Sequence, residues 1–320
     1  MTIRGVLLDR SRAPAAVEVD HGLVRSLKGD QLLWVDAVDA LDVLGPIAAA
    51  LELPGTLLPK TARNDAASLV REQGWIRLTA VAVQTPGPDA TGPIETEPLH
   101  ILAGRNVVVT IHREPVDALD ALAEQFRDEP GLGVLDAADL VAGIIDEVLA
   151  IYLRHVEAIE RRIDVLDEIA IRGRSARAYL GEVVSLRRRT AILRRSLAPH
   201  REAFGPLARP DFEIAALGRP WPGLVQRLEA TTLAIQNIRE LLVGSVALQQ
   251  SGTAERVNEV MKRLTIVNAV LLPAVVLAGI MGMNFPMLFF QQPGNFWIVI
   301  ASMAAMAFAI LAVARVRGWI

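Results

Sequence analysis

Two stretches near the end of the chain carry no charge. The first, from Leu264 to Met281, is Ile, Val, Leu, Ala and Gly with few polar interruptions. About 18 residues at 1.5 Å each make about 27 Å of helix, enough to cross a bilayer core. The second runs from Phe296 to Val313 after a short uncharged loop. Two spans so closely joined predict a hairpin with both ends on one side. Upstream, short Val-, Ile- and Leu-rich runs predict strands at Ile3–Leu8, Leu32–Val35, Trp75–Val83, Leu99–Leu102 and Val107–His112. Asp39–Leu51, Thr61–Glu72 and Pro115–Phe126 read as helices between them, and Thr85–Pro98, rich in Pro and Gly, reads as a loop.

From Asp136 the period changes to three and four. Ile144, Ile145, Val148, Ile151, Tyr152, His155, Ile159, Ile163 and Leu166 form one face of a long helix that breaks near Arg172–Arg174. A second helix is predicted from Arg177 to Leu197, its opposite face carrying Arg187, Arg188, Arg189, Arg194 and Arg195. Such a charge run reads as a solvated face. Phe204–Pro222 is a connector. From Gly223 a proline-free pattern reaches Pro273, and a helix continuing through Met281 would be about 90 Å long. That is too long for a globular core, so it reads as a stalk that must be bundled, within the chain and with copies of itself.

The fold class expected is therefore an α+β membrane protein: an N-terminal cytoplasmic α/β domain, a long helical stalk and two C-terminal transmembrane helices. The expected partition is an α/β domain at 1–132, a helical hairpin region at 133–222 and the stalk at 223–263. Then come a first span at 264–284, an extracytoplasmic loop at 285–295, a second span at 296–314 and a basic tail at 315–320. Lys262 and Arg263 precede the first span, and Arg315 and Arg317 follow the second. The positive-inside bias puts both termini in the cytoplasm and makes this a multi-pass protein of the cytoplasmic membrane.

Composition narrows the chemistry. The chain is 52% hydrophobic yet 22% charged, which suits a large soluble part with a small membrane part. A net charge of -3 without a long basic run excludes nucleic acid as a partner. There are no cysteines, so thiolate metal sites and disulfides are excluded. The five histidines, His21, His100, His112, His155 and His200, show no metal-ligand spacing, and no catalytic constellation appears. An enzyme is not expected, nor a covalently bound cofactor.

The polar residues of the first span fall on one stripe. Asn258, Met261, Leu264 or Thr265, Asn268, Leu272, Val275, Gly279 and Gly282 recur close to every 3.5 residues, as in helices packed about a common axis. Polar groups facing lipid are costly. Pattern alone leaves two readings: hydrogen bonds that hold helices together, or the wall of a pore.

Two motifs sharpen this. Gly282-Met283-Asn284-Phe285 closes the first span, and Val257-Asn258-Glu259-Val260-Met261-Lys262 leads into it. Pro273, the second span and the ending Gly318-Trp319-Ile320 complete a pattern that resembles the CorA-type divalent metal ion transporters, including the related ZntB zinc transporters. Leu186–Glu202, with Arg194-Arg195 and Ala198-Pro199, looks more like the zinc branch.

The resemblance implies a homopentamer whose five first spans line one pore. It makes the transported divalent cation both substrate and regulator: Mg²⁺, with Co²⁺ or Ni²⁺, or alternatively Zn²⁺. It assigns Asn284 to a ring of carboxamides that meets the hydrated ion at the outer mouth, shaped by Gly282 and Met283. It assigns Asn258, Met261 and Leu264 to a narrow inner gate. Leu272 and Val275 fall on pore-facing positions, and Asn268 is in register with them. It also implies regulatory metal between subunits of the cytoplasmic domain, for which Asp36–Asp42 and Asp164–Glu168 are candidate acidic pieces. Many members carry an acidic residue after the Gly-Met-Asn; here FPMLFFQQPGN has none. Capture would then rest on Asn284, Gln291, Gln292, Asn295 and backbone carbonyls. The same gap favours a third reading, a membrane-anchored oligomeric sensor that does not conduct.

Overall fold

The computed structural model describes residues 2–9, 12–19, 21–29, 31–39, 44–59, 66–87, 92–128, 136–172, 176–208, 221–283 and 293–319. They fall into two compact units, Met1–Ile169 with Ser175–Ser245, and Ala170–Arg174 with Val246–Ile320.

In the first unit, seven strands form one mixed sheet. They are β1 (Thr2–Asp9), β2 (Arg12–Val17), β3 (Gln31–Val38), β4 (Ser68–Glu72), β5 (Trp75–Val83), β6 (Thr96–Ala103) and β7 (Val107–His112). Their order is β2-β1-β3-β7-β6-β5-β4. At the centre β3 and β7 run parallel, Leu33 opposite Val107 and Val38 opposite His112. A strand covered on both faces needs an unbroken apolar run, and Leu32-Leu33-Trp34-Val35 supplies it, all four side chains buried. One face packs Leu33, Val35 and Ala37 on Ala48 and Leu51, at helix α2 (Leu44–Ala50), and on Leu57. On the other, Trp34 meets Phe126 of helix α3 (Asp117–Asp128) edge to face. A short helix α1 (His21–Ser26) lies between β2 and β3.

Several expectations need correction. Ser68–Glu72, predicted as part of a helix at Thr61–Glu72, is the edge strand β4. The cause is Gln73-Gly74: both have positive φ, 47° and 84°, the backbone of a two-residue hairpin that turns β4 antiparallel onto β5. The rest of that predicted helix, 60–65, lies outside the described residues. The helix predicted at Asp39–Leu51 is present only as α2; Asp39 has φ 48° and stands outside it, and 40–43 lie outside the described residues. The edge strand β2, which contains Pro14, and the helix α1 were not predicted.

Helices α4 (Ala137–Arg172), α5 (Ala176–Phe204) and α6 (Trp221–Met281) follow. Helix α5 runs past its predicted end at Leu197 and takes Pro199 inside it. β4 stops pairing at Ser68 opposite Thr79, so among the described residues the last residues of β5 have no strand on that edge. Side chains replace it. Tyr152 of α4 donates its hydroxyl to the Val81 carbonyl at 3.0 Å, and the Val81 N–H donates to His200 Nε2 of α5 at 2.9 Å. The first part of α6 buries Trp221, Leu224, Leu228, Thr231, Ile235, Ile238, Leu242 and Ser245, an alternating three-four spacing that repeats every seven residues. That stripe closes on a polar chain: the Tyr179 hydroxyl meets Ser245 at 2.6 Å, and Ser245 is hydrogen-bonded to Asp167.

The second unit contains the rest of α6 and helix α7 (Pro293–Val316). Both helices are long and apolar enough to cross a membrane. Their partly covered residues form matching stripes: Ile266, Val270, Pro273, Ala274, Leu277 and Met281 on α6, and Asn295, Val299, Met303, Ala307, Ile310 and Ala314 on α7. Each set has helical spacing, so the hairpin is packed along one face of each helix.

Candidate functional site

At 100° per residue, the candidate stripe on α6 lies about 180° from the face that packs on α7. Asn258, Met261, Leu264, Asn268, Leu272, Val275, Gly279 and Gly282 are all exposed, Leu272 to 67%. They form a line about 36 Å long on the side of the helix that no described residue covers. Asn258 and Asn268 stand about 15 Å apart along it. Thr265, the alternative to Leu264, spends its hydroxyl on its own helix: it donates to the Met261 carbonyl at 2.8 Å. Helix α6 ends at Met281, and Gly282 and Met283 make its last turn, the Gly282 N–H bonded to Ala278 at 3.0 Å and the Met283 N–H to Ile280 at 3.2 Å. Asn284 and the outer-loop residues Gln291 and Gln292 lie outside the described residues; Asn295 is on α7.

Between Leu264 and Ala314 the chain has no Asp, Glu, His, Lys, Arg, Cys or Tyr. The polar capacity of the stripe is therefore neutral amide, hydroxyl and backbone carbonyl, none of which titrates. Such a surface can meet the water shell of a cation without holding the ion as a carboxylate would.

Four histidines do structural work in the first unit. His200 is fully buried, and burial pushes it down to about 4, against the upward pull of the Leu197 and Ser196 carbonyls. It must be neutral, because its Nε2 accepts from Val81. His112 goes the other way. Burial opposes its charge, but the hydrogen bond and charge of Asp36, with the Glu114 carbonyl and Glu97, raise its pKa. Its Nε2 lies 3.0 Å from Asp36 and its Nδ1 2.6 Å from the Glu114 carbonyl, so both nitrogens donate. His155 meets the Gln84 carbonyl at 2.8 Å, and burial lowers its pKa. His100 meets Thr79 at 3.1 Å. Of the acidic pieces, Asp36 serves His112 and Thr110, and Asp167 serves Ser245, while Asp164 and Glu168 are exposed. Among the described residues no group of three or more His, Asp or Glu could hold a metal ion.

The family of CorA-like Mg²⁺ transporter proteins matches residues 30–315. The chain belongs to it. Among its relatives is the cobalt/magnesium transport protein CorA of Thermotoga maritima, 24% identical over 71% of this chain and 66% of that protein. The complete CorA magnesium transporter from Methanocaldococcus jannaschii has the same fold, with a TM-score of 0.73, 18% identity and coverage of 100% of both chains. The cytoplasmic domain of ZntB from Vibrio parahaemolyticus matches with a TM-score of 0.54 and 12% identity, covering 80% of this chain and 97% of that one. The α/β domain, the long helix and the two apolar C-terminal helices are thus those of the CorA fold.

Sequence reasoning missed three features around the stripe. The Thr265 hydroxyl bond followed no sequence signal. The seven-residue repeat from Trp221 to Ser245 was there to be read. So was the Gly318 turn that ends α7.

Proposed function

We propose that this chain assembles as a homopentamer and conducts a divalent cation across the cytoplasmic membrane, with both termini in the cytoplasm. The first span of each copy lines one pore. The observation that carries this reading is the uncovered, uncharged stripe bearing Asn258 and Asn268, opposite the α7-packed face of α6. Five such stripes facing one axis would remove the apolar positions from lipid and give the amides a wet path. Met261 and Leu264 would form the gate, closing by dewetting. Asn284, with Gly282 and Met283, would form the outer mouth, where amide oxygens accept from the water shell of the ion.

The cation is Mg²⁺ in this reading, since Mg²⁺ parts reluctantly with water and a neutral amide ring does not require it to. The membrane potential would supply the drive, about 4.6 kcal/mol per 100 mV for a divalent ion. Absence of a titratable group from Leu264 to Ala314 favours a channel over proton-coupled Zn²⁺ transport. The test is uptake into liposomes holding the purified protein, with Mg²⁺ and Zn²⁺ supplied separately. Mg²⁺ should enter down the potential, and Asn284→Ala should reduce its entry strongly while the pentamer mass is kept. No uptake of either ion would favour a non-conducting sensor. Zn²⁺ entry that requires a proton gradient would favour the ZntB-type reading.

A further inference from the structure

Helix α7 ends in a turn that builds something. The Trp319 N–H donates to the Ala314 carbonyl at 2.8 Å, and the Gly318 N–H to the Arg315 carbonyl at 3.1 Å. Gly318 has φ 67°. This is the Schellman arrangement, with a glycine where a side chain would be strained, and it brings Trp319 back over the last turns of α7. Ala314, beneath it, is buried, unlike the rest of that end of the helix.

The folded turn closes one end of a groove between α6 and α7. Ile266, Ala269, Met306, Ala309, Ile310 and Trp319 line it, Arg317 stands with them, and the space is about 310 Å³. That is within the range of pockets that take small molecules. Thr265 also borders it, but its hydroxyl is bonded to Met261. The wall is therefore apolar. The surrounding helix ends are basic. Arg263 is paired with Glu259 at 2.6 Å, whereas Lys262, Arg315 and Arg317 pair with no carboxylate among the described residues.

We propose that this groove holds one acyl chain of an anionic phospholipid, with the lipid phosphate on Arg317. An apolar helix from a second copy would satisfy the trough but leave the Arg317 cation at its lining unanswered. A phosphodiester with an acyl chain answers both, through charge-assisted hydrogen bonds at the mouth and apolar burial inside. Trp319 sits where a tryptophan prefers to be, at the boundary between chain and headgroup. The proposal rests on α6 and α7 being membrane spans and is independent of which ion the protein carries.

The experiment is native mass spectrometry of the purified, delipidated oligomer with phosphatidylglycerol or phosphatidylcholine added back. Phosphatidylglycerol should be retained about five-fold over phosphatidylcholine, the effect of about 1 kcal/mol for one cation at a membrane surface. Arg317→Gln should abolish that preference. Ala309→Phe, which fills the trough, should lower retention of both lipids. Equal retention of the two lipids by the unaltered protein would overturn the proposal, as would a preference unchanged in Arg317→Gln. If Ala309→Phe alters the oligomer mass and leaves lipid retention unchanged, the groove belongs to a second copy and the proposal fails.

Discussion

The two halves of α6 carry the same kind of stripe and meet different fates. From Trp221 to Ser245 the repeat is Trp, Leu, Leu, Thr, Ile, Ile, Leu, Ser, and every member is buried within the chain. From Asn258 to Gly282 the repeat is Asn, Met, Leu, Asn, Leu, Val, Gly, Gly, and every member is exposed. A seven-residue repeat asks for a partner helix in both cases. In the first half α4 and α5 belong to the same compact unit. In the second, α7 takes only the opposite face. The composition differs accordingly. The buried repeat is apolar apart from two hydroxyls, Thr231, bonded to the Arg227 carbonyl of its own helix, and Ser245, tied to Tyr179, whereas the exposed repeat contains two amides and two glycines. One stripe is built to exclude water, and the other has the groups to tolerate it.

The sharpest contrast is in stability. Leu242→Ala removes a buried leucine and should cost about 2–5 kcal/mol in denaturant unfolding of the first unit. Leu272→Ala, on a residue 67% exposed, should cost under about 0.5 kcal/mol. Equal costs would erase the distinction between the stripes.

Acid should separate them as well. His200 has its folded pKa lowered to about 4, so the unfolded chain binds the proton more readily. Its contribution is complete above the unfolded value near 6.5 and is lost as pH falls from there towards 4, by about 3 kcal/mol. His112, raised, works in the opposite sense, stabilising below 6.5 and losing that contribution as pH rises through its folded value. Unfolding of a His200→Gln variant should lack the acid-side loss. The α6 stripe has nothing to titrate, so conductance through an open pore should stay flat over the same range. A conductance that followed His-like titration would break that separation.

A smaller effect is expected at Asn268. Asn268→Leu leaves the stripe apolar and should lower Mg²⁺ flux about ten-fold, the equivalent of 1.4 kcal/mol, with the oligomer mass unchanged. Unchanged flux would make Asn268 an ordinary interhelical hydrogen-bonding residue. The smallest effect is at Tyr179. Tyr179→Phe removes the hydrogen bond to Ser245 where the buried repeat ends, and should cost about 1 kcal/mol in unfolding without changing flux.

How much of this could be read from the chain depended on the length of the signal. The two apolar C-terminal helices are long patterns, and both are present. The strand Val107–His112 has the expected bounds, because a run buried on both faces has no ambiguous edge. β4 was misread because five residues carry little periodicity, and the decisive cue was the backbone of Gln73-Gly74 rather than hydropathy. β2 is an exposed edge strand with a proline, which suppresses the usual apolar signal. The end of α5 was set too early: packing of Leu197, His200 and Phe204, all buried, carries the helix past Pro199. The groove beside Trp319 joins residues about 50 positions apart, which no local pattern could bring together.

The central claim is that the exposed stripe faces a water-filled path for ions. With no native cysteine, the chain is suited to single-cysteine labelling. Asn268→Cys lies on the stripe, and Val270→Cys lies on the α7-packed face of the same turn. Mg²⁺ flux into liposomes would be followed before and after a small, positively charged, water-soluble thiol reagent. The account predicts that flux through Asn268→Cys is blocked and that flux through Val270→Cys is not. Block at Val270→Cys with none at Asn268→Cys would contradict it and put the path on the other side of the helix.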